Sequence, residues 1–179
     1  MAILVDEAIW PWRGRRWAHL VSDAGYEELH AFAAVLGLRR MAFQGDHYDV
    51  PAEVRDRALD LGAEAVGGRE LLGRLKAAGL RLAPGRRPGV WEEVGRWPGG
   101  DGAPLPVGLL GTASESLAEA LAAALVDDTI VEVSAWRRGA EAALVVSAEA
   151  PIGVGALPSG VEHRLTDRGR LLELLVDGS

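Results

Sequence analysis

The chain has 179 residues, no cysteine and a formal charge of −7. Disulfides and thiolate zinc sites are excluded. A chain without cysteine fits a reducing cytoplasm, and 49% apolar residues can build one domain or two small ones. The charge is unevenly placed. Residues 1–87 carry 13 Lys and Arg against 12 Asp and Glu, and residues 88–179 carry 6 against 14. The acidic half repels polyanions, which leaves nucleic-acid binding to a local cluster in the first half.

Ala2–Val5 is a short apolar run with no basic stretch before it, the pattern of a buried strand and not of a signal peptide. No apolar run is long enough to cross a bilayer, so no membrane partner is expected. Trp10-Pro11-Trp12-Arg13-Gly14-Arg15-Arg16-Trp17 follows and reads as a long loop. Ser22 or Asp23 caps a helix with Tyr26, Leu29, Ala33 and Leu36 inside and Gly37 as its stop. Leu38–Phe43 reads as a second strand. Asp49-Val50-Pro51 opens a second helix, with Val54, Ala58 and Leu61 inside and Gly62 at its end. Ala63–Val66 is a third strand. Arg69–Ala78 is a third helix with Leu71, Leu72 and Leu75 inside, ended by Gly79. The alternation predicts a small three-layer, Rossmann-like α/β domain over residues 1–82, with a mainly parallel sheet.

From Ala83 to Pro106 the sequence holds five prolines and six glycines. This marks a linker over residues 83–104, with Trp91 and Trp97 packed onto a domain surface. Thr112 and Glu115 form a capping box for a helix to Val126 that buries Leu117, Leu121, Ala124 and Leu125. Thr129–Trp136 and Ala140–Ala148 read as strands around Arg137-Arg138-Gly139. Val161–Leu165 and Leu171–Val176 read as another pair around Asp167-Arg168-Gly169. Residues 105–179 are therefore expected to form a small acidic α+β domain with antiparallel strands.

The chemistry concentrates in the first domain. Three of the four histidines, His19, His30 and His47, lie within the first 47 residues. Histidine titrates near neutrality and is the commonest metal ligand. In an open parallel sheet, ligands sit at the carboxyl ends of the strands. That edge gathers Asp6, the Asp46-His47-Tyr48-Asp49 segment and Gly67-Gly68-Arg69. Asp6, Asp46, His47 and Asp49 are the candidate ligands for a divalent Mg, Mn or Zn ion, and His47, His19 and Asp49 are the candidate catalytic groups. Arg13, Arg15 and Arg16 suit phosphates, and Trp12 and Trp17 suit stacked bases. Gln44 and Tyr48 complete the substrate-binding set.

Each piece also has a structural reading. Asp49 is a plausible helix N-cap, and Asp23 a cap. Glu27 and His30 can form a surface pair one turn apart. The tryptophans can anchor their loop under arginines held by cation–π contact. No P-loop, dinucleotide fingerprint, zinc-protease helix or serine elbow is present, so no nucleotide cofactor is expected. The expected function is metal-assisted hydrolysis of a phosphoester in a nucleic acid or nucleotide. The alternative is a non-catalytic module that binds nucleic acid or protein and whose His/Asp set is a structural network.

Residues 1 to about 82 resemble the family called domain of unknown function 4031, found in bacteria and phages. The resemblance rests on Ile3-Leu4-Val5-Asp6, Trp17-Ala18-His19-Leu20-Val21-Ser22-Asp23, Glu28-Leu29-His30-Ala31-Phe32-Ala33 and Phe43-Gln44-Gly45-Asp46-His47-Tyr48-Asp49. It brings no known activity with it. Gly62-Ala63-Glu64-Ala65-Val66 and Arg69-Glu70-Leu71 also resemble the end of PIN-like nuclease domains, which place an aspartate after the first strand as Asp6 is placed.

In the second domain one helix can cover only one side of the expected sheet, which leaves an apolar face in need of a partner. A homodimer through this domain is the expected result of light scattering on the full chain, and a monomer at micromolar concentration would remove that expectation.

Overall fold

The structure is a computed structural model that describes residues 2–99, 110–124 and 129–177. The chain divides into two compact units, residues 1–88 and 89–179. Among the described residues, no helix is long and apolar enough to cross a membrane.

The first unit is organised by β3 (Arg15–Ser22). Trp17 pairs with Trp10 on one side and Pro51 on the other, and Leu20 pairs with Val5 and Tyr48. One edge of β3 is thus taken by β1 (Ile3–Val5) and β2 (Trp10–Trp12), and the other by β4 (Tyr48–Pro51), all antiparallel. The parallel pairing is that of β1 with the two-residue β5 (Glu64–Ala65). The sheet is therefore mixed, and the expectation of a mainly parallel, Rossmann-like sheet is corrected.

Two segments make the sheet mixed. The tryptophan–arginine segment is not a loop. It is a hairpin whose two-residue turn, Arg13-Gly14, has both residues at positive φ, the geometry that matches strand twist. Leu38–Phe43 is not a strand. Arg40–Ala42 is a 3-10 turn, and only Phe43 makes a bridge, to Tyr48.

Alternation along the strands sends neighbouring side chains to opposite faces. Ile3, Val5, Ala18, Leu20, Tyr48 and Val50 face α1 (Tyr26–Val35) and α2 (Ala52–Asp60), whose Leu29, Ala33 and Ala58 complete that core. Leu4 and Val21 face the other way, against Leu71 and Leu75 of α3 (Gly68–Ala77). The three layers expected from sequence are present, built on a different sheet. The helices stop where Gly37, Gly62 and Gly79 stand. Leu61, expected inside, is exposed. Asp23 does not cap α1. Its carboxylate accepts from the Ala2 N–H and from Arg74, and the Arg74 bonds hold its pKa below the ordinary value. Ser22 Oγ accepts from the Ala24 and Gly25 N–H groups ahead of the helix instead.

The second unit is a five-stranded antiparallel sheet in the order β6-β7-β8-β10-β9. Its strands are β6 (Glu92–Pro98), β7 (Ile130–Arg138), β8 (Glu141–Ala148), β9 (Val161–Thr166) and β10 (Leu171–Val176). α4 (Ser114–Ala124) lays Leu117, Ala120, Leu121 and Ala124 over Val133, Ala135, Leu144, Val146, Leu172 and Leu174. Part of the expected linker is thus an edge strand, where Pro98 is tolerated. Residues 100–104 of that linker, the start of the expected second domain and the helix end at Leu125 and Val126 lie outside the described residues.

Gly45 sits at φ +90 in the turn before β4, and a Cβ there would stand 2.4 Å from Pro88 Cδ and 2.9 Å from Leu82 Cδ1. The backbone conformation and the space both demand glycine. Gly45→Ala is expected to lower the stability of this unit by about 2–5 kcal/mol, the sum of left-handed strain and overpacking. Urea unfolding followed by tryptophan fluorescence measures it, and an unchanged midpoint would contradict both the left-handed geometry of Gly45 and the packing of the 81–88 segment on this turn.

Candidate functional site

β1, β3 and β4 place three polar side chains in a row across the sheet, on its α3 face. Asp6 follows β1 and is tied to His19 through the backbone, its N–H donating to the His19 carbonyl at 3.2 Å. Asp49 is the register partner of His19 on the other side. The row is Asp6, His19, Asp49. Asp6 is buried. Its Oδ1 accepts from the His19 N–H at 2.6 Å and its Oδ2 from His19 Nδ1 at 2.8 Å. The other ring nitrogen, Nε2, lies 3.9 Å from Asp49 Oδ1.

His47 enters from the turn that leads into β4. The Gln44 N–H donates to the His47 carbonyl at 2.8 Å and closes that turn. His47 Nδ1 donates to Asp46 Oδ1 at 2.6 Å, and His47 Nε2 lies 3.3 Å from Asp49 Oδ1. Asp46 is fully buried, and its second oxygen accepts from Arg81 at 3.0 Å and from the Leu82 N–H at 3.1 Å. Both imidazoles are therefore fixed through Nδ1 by a buried carboxylate, and both present Nε2 to one oxygen of Asp49. The ligand atoms of His19, His47 and Asp49 lie within 4.8 Å of one another, the one group of this kind among the described residues. The two rings meet edge to face at 5.3 Å.

Burial works against the charged form of His47. Hydrogen bonds to Asp49 and Asp46, with their charges, outweigh it and raise the His47 pKa above the ordinary histidine value. For Asp49, burial would raise the pKa, but the hydrogen bond and charge of His47 and the charge of His19 prevail and lower it.

A cavity of about 270 Å³ opens beside the row. It is lined by Asp6, Trp10, His19, Val21, His47, Gly68, Leu71, Leu72, Leu75, Arg81 and Arg87. The lining combines the polar Asp6, His19, His47, Arg81 and Arg87 with the apolar Val21, Leu71, Leu72 and Leu75. Trp10 belongs to the tryptophan–arginine segment singled out from sequence, whereas Arg81 and Arg87 were not expected. Arg81 and Arg87 stand in no motif and meet the site only because the segment after α3 crosses the Asp46 turn.

The remaining expectations divide. Asp6 and Asp46, expected as ligands, each give one oxygen to a histidine ring, and the other to the His19 N–H in Asp6 and to Arg81 and the Leu82 N–H in Asp46. Asp49 is a strand residue with its side chain 49% exposed, not a helix cap. Tyr48, expected to bind substrate, is fully buried on the opposite face, and its hydroxyl meets His30 Nδ1 at 2.9 Å. His30 is not a surface partner of Glu27; it packs edge-on against Phe43 at 4.6 Å. Trp17 Nε1 donates to the Trp12 carbonyl, and Arg13 lies 4.5 Å above the Trp12 ring. Arg15 pairs with Glu53 at 2.8 Å. Arg16 and Gln44 are exposed.

Residues 3–78 match the family model described as protein of unknown function (DUF4031). The DUF4031 segment contains Asp6, His19, Asp46, His47 and Asp49, while Arg81 and Arg87 lie beyond it. No curated protein and no solved structure matches the chain.

The pKa directions give a testable pH dependence for the metal-free protein. A raised His47 pKa means a contribution to stability that is complete below the ordinary histidine value, about 6.5, and lost as pH rises through the raised value. A lowered Asp49 pKa means a contribution present above the ordinary aspartate value, about 3.9, and lost as pH falls through the lowered value. Thermal unfolding in chelator is expected to show wild type losing Tm relative to His47→Gln as pH is raised from about 6 to 9. A constant difference between the two would contradict the His47 bridge.

Proposed function

We propose that the first unit is a metal-assisted phosphoester hydrolase whose ion is held by His19, His47 and Asp49. The observation that carries the reading is that two imidazoles, each oriented through Nδ1 by a buried carboxylate, converge through Nε2 on one carboxylate oxygen. Metal-ligating histidines are ordinarily fixed in this way through their second nitrogen. Two nitrogens and one carboxylate suit Zn or Mn better than Mg, which prefers oxygen ligands. Three protein ligands leave a coordination position open, as catalytic sites require.

A divalent ion bound here would lower the pKa of water and offset charge on the phosphoryl oxygens. With an ion bound, Asp6 and Asp46 would keep the Nδ1 protons and leave Nε2 of each ring free to hold the ion. Arg81 and Arg87 on the cavity wall supply positive charge for a phosphate. In the reaction, water oxygen bonds to phosphorus, the bond from phosphorus to the leaving oxygen breaks, one water proton ends on the leaving oxygen and the other is released.

The second reading is a non-catalytic binding module. It is favoured by the Asp46–His47–Asp49 bridge, whose hydrogen bonds are complete without an ion. Buried polar networks of this kind can serve structure alone.

The two readings separate on the full chain, stripped with chelator and titrated with Zn, Mn or Mg. The hydrolase reading expects near-stoichiometric binding by calorimetry and metal-dependent cleavage of bis(p-nitrophenyl) phosphate, both lost in folded His19→Ala and His47→Ala. Asp46→Asn is expected to weaken metal binding about 10–100-fold. Absence of metal binding in wild type would sink this reading and leave the structural network.

A further inference from the structure

The hairpin β2–β3 carries information about the substrate of this site. Trp10 and Trp12 are each 54% exposed. They stand two residues apart on one face of β2, with Trp17 opposite Trp10 in the ladder. The rings form a row: Trp12 meets Trp17 at 5.2 Å, Trp10 meets His19 at 6.0 Å, and His19 meets His47 at 5.3 Å. The row begins beside the hairpin turn and ends at the histidine pair. Arg13 is exposed at the turn of the same hairpin. Arg87 and Arg81 line the cavity, and both also border a second hollow together with Lys76.

Resting on the hydrolase reading of the His19–His47–Asp49 group, we propose that this row is a binding track for single-stranded nucleic acid, with one nucleotide seated in the cavity. Three observations support this occupant. A half-exposed indole offers apolar surface to any base, Arg13 already stands over one face of Trp12 as a cation for the strand, and aromatic platforms flanked by cations are how single strands are held without regard to sequence. Next, Trp10 and Trp12 are two strand steps apart, ~6.8 Å, twice the ~3.4 Å rise per nucleotide of a stacked strand. Bases seated on both are parted from each other, which an unpaired strand allows and a duplex does not. Finally, the cavity of about 270 Å³ falls just below the ~300–1,000 Å³ range of small-molecule pockets. It has room for a single unit, so the rest of a longer substrate must lie along the hairpin.

The chain's formal charge of −7 gives no broad attraction for a polyanion. Binding must come from stacking and a few local contacts, so its salt dependence is shallow. Three phosphate contacts give a log–log slope of about −2 for a single strand.

The test is fluorescence anisotropy of labelled 12-mer single-stranded DNA and RNA and of a 12-bp duplex. Chelator is present throughout, so that binding is read without turnover. Wild type is expected to bind at least one single strand more tightly than the duplex, and the DNA and RNA arms identify the sugar. Trp12→Ala, at an exposed position, is expected to keep the circular dichroism of wild type and to weaken binding about 5- to 150-fold, with Trp12→Phe restoring most of it. No binding to either single strand, equal binding to the duplex, or unchanged binding in Trp12→Ala would overturn the track. Small-ester hydrolysis by the metal-loaded protein reports separately. Turnover of bis(p-nitrophenyl) phosphate without oligonucleotide binding sinks only the track, and oligonucleotide binding without metal uptake sinks only the hydrolase reading.

Discussion

The carboxylate of Asp46 is the group on which the first unit's site depends. It is fully buried, and a buried charge costs several kcal/mol unless it is paired and its lone pairs are satisfied. Three donors meet it: the His47 ring, the Arg81 guanidinium and the Leu82 N–H. The turn before β4 and the segment after α3 must therefore come together for the charge to be tolerated. The lack of a side chain at Gly45 lets Leu82 and Pro88 close over that turn. The carboxylate that fastens the two segments also fixes the His47 ring. Asp6 repeats the arrangement, since its two oxygens hold the backbone and the ring of His19. Stability and site geometry rest on the same two side chains.

Much of the local structure could be read from the sequence. Helical spacing of Leu29 and Ala33, and of Leu71 and Leu75, marks faces that are buried, and the glycines that follow mark the stops. In the second unit, alternation along Ile130–Arg138 and Leu171–Val176 reads directly as strands. The sheet of the first unit was not legible, for physical reasons. Its hairpin turns on Arg-Gly, which lacks the asparagine or aspartate that ordinarily announces such a turn, and Pro11 argues against a strand. In Tyr48-Asp49-Val50-Pro51 the proline suggests a helix start and hides four residues of strand. In Leu38–Phe43 the apolar content suggests a strand, but the backbone makes a 3-10 turn.

The polar residues of the candidate site do not meet at the edge of a parallel sheet. A parallel sheet gathers loops at one edge. Here Asp6, His19 and Asp49 meet because antiparallel neighbours in register share a face. His19 illustrates the difference. Outside every strand and helix expected from sequence, it has no defined neighbour. As a residue of β3 with a strand on either side, it has two. Tyr48 shows the converse: it is adjacent to His47 in sequence, yet strand alternation turns it into the core. The contribution of Arg81 could not be foreseen, because it depends on where the chain runs after α3.

β2 lies at the rim of its sheet and, among the described residues, pairs with β3 alone. An uncovered strand flanked by large aromatics is a template for the same strand of another molecule, and such edges lead to aggregation. Pro11 stands at its centre, between Trp10 and Trp12. Proline has no N–H to offer an incoming strand and occurs in sheets mainly at such edges. Its placement lets the hairpin keep two tryptophans in water while denying a neighbouring copy the continuous ladder it would need.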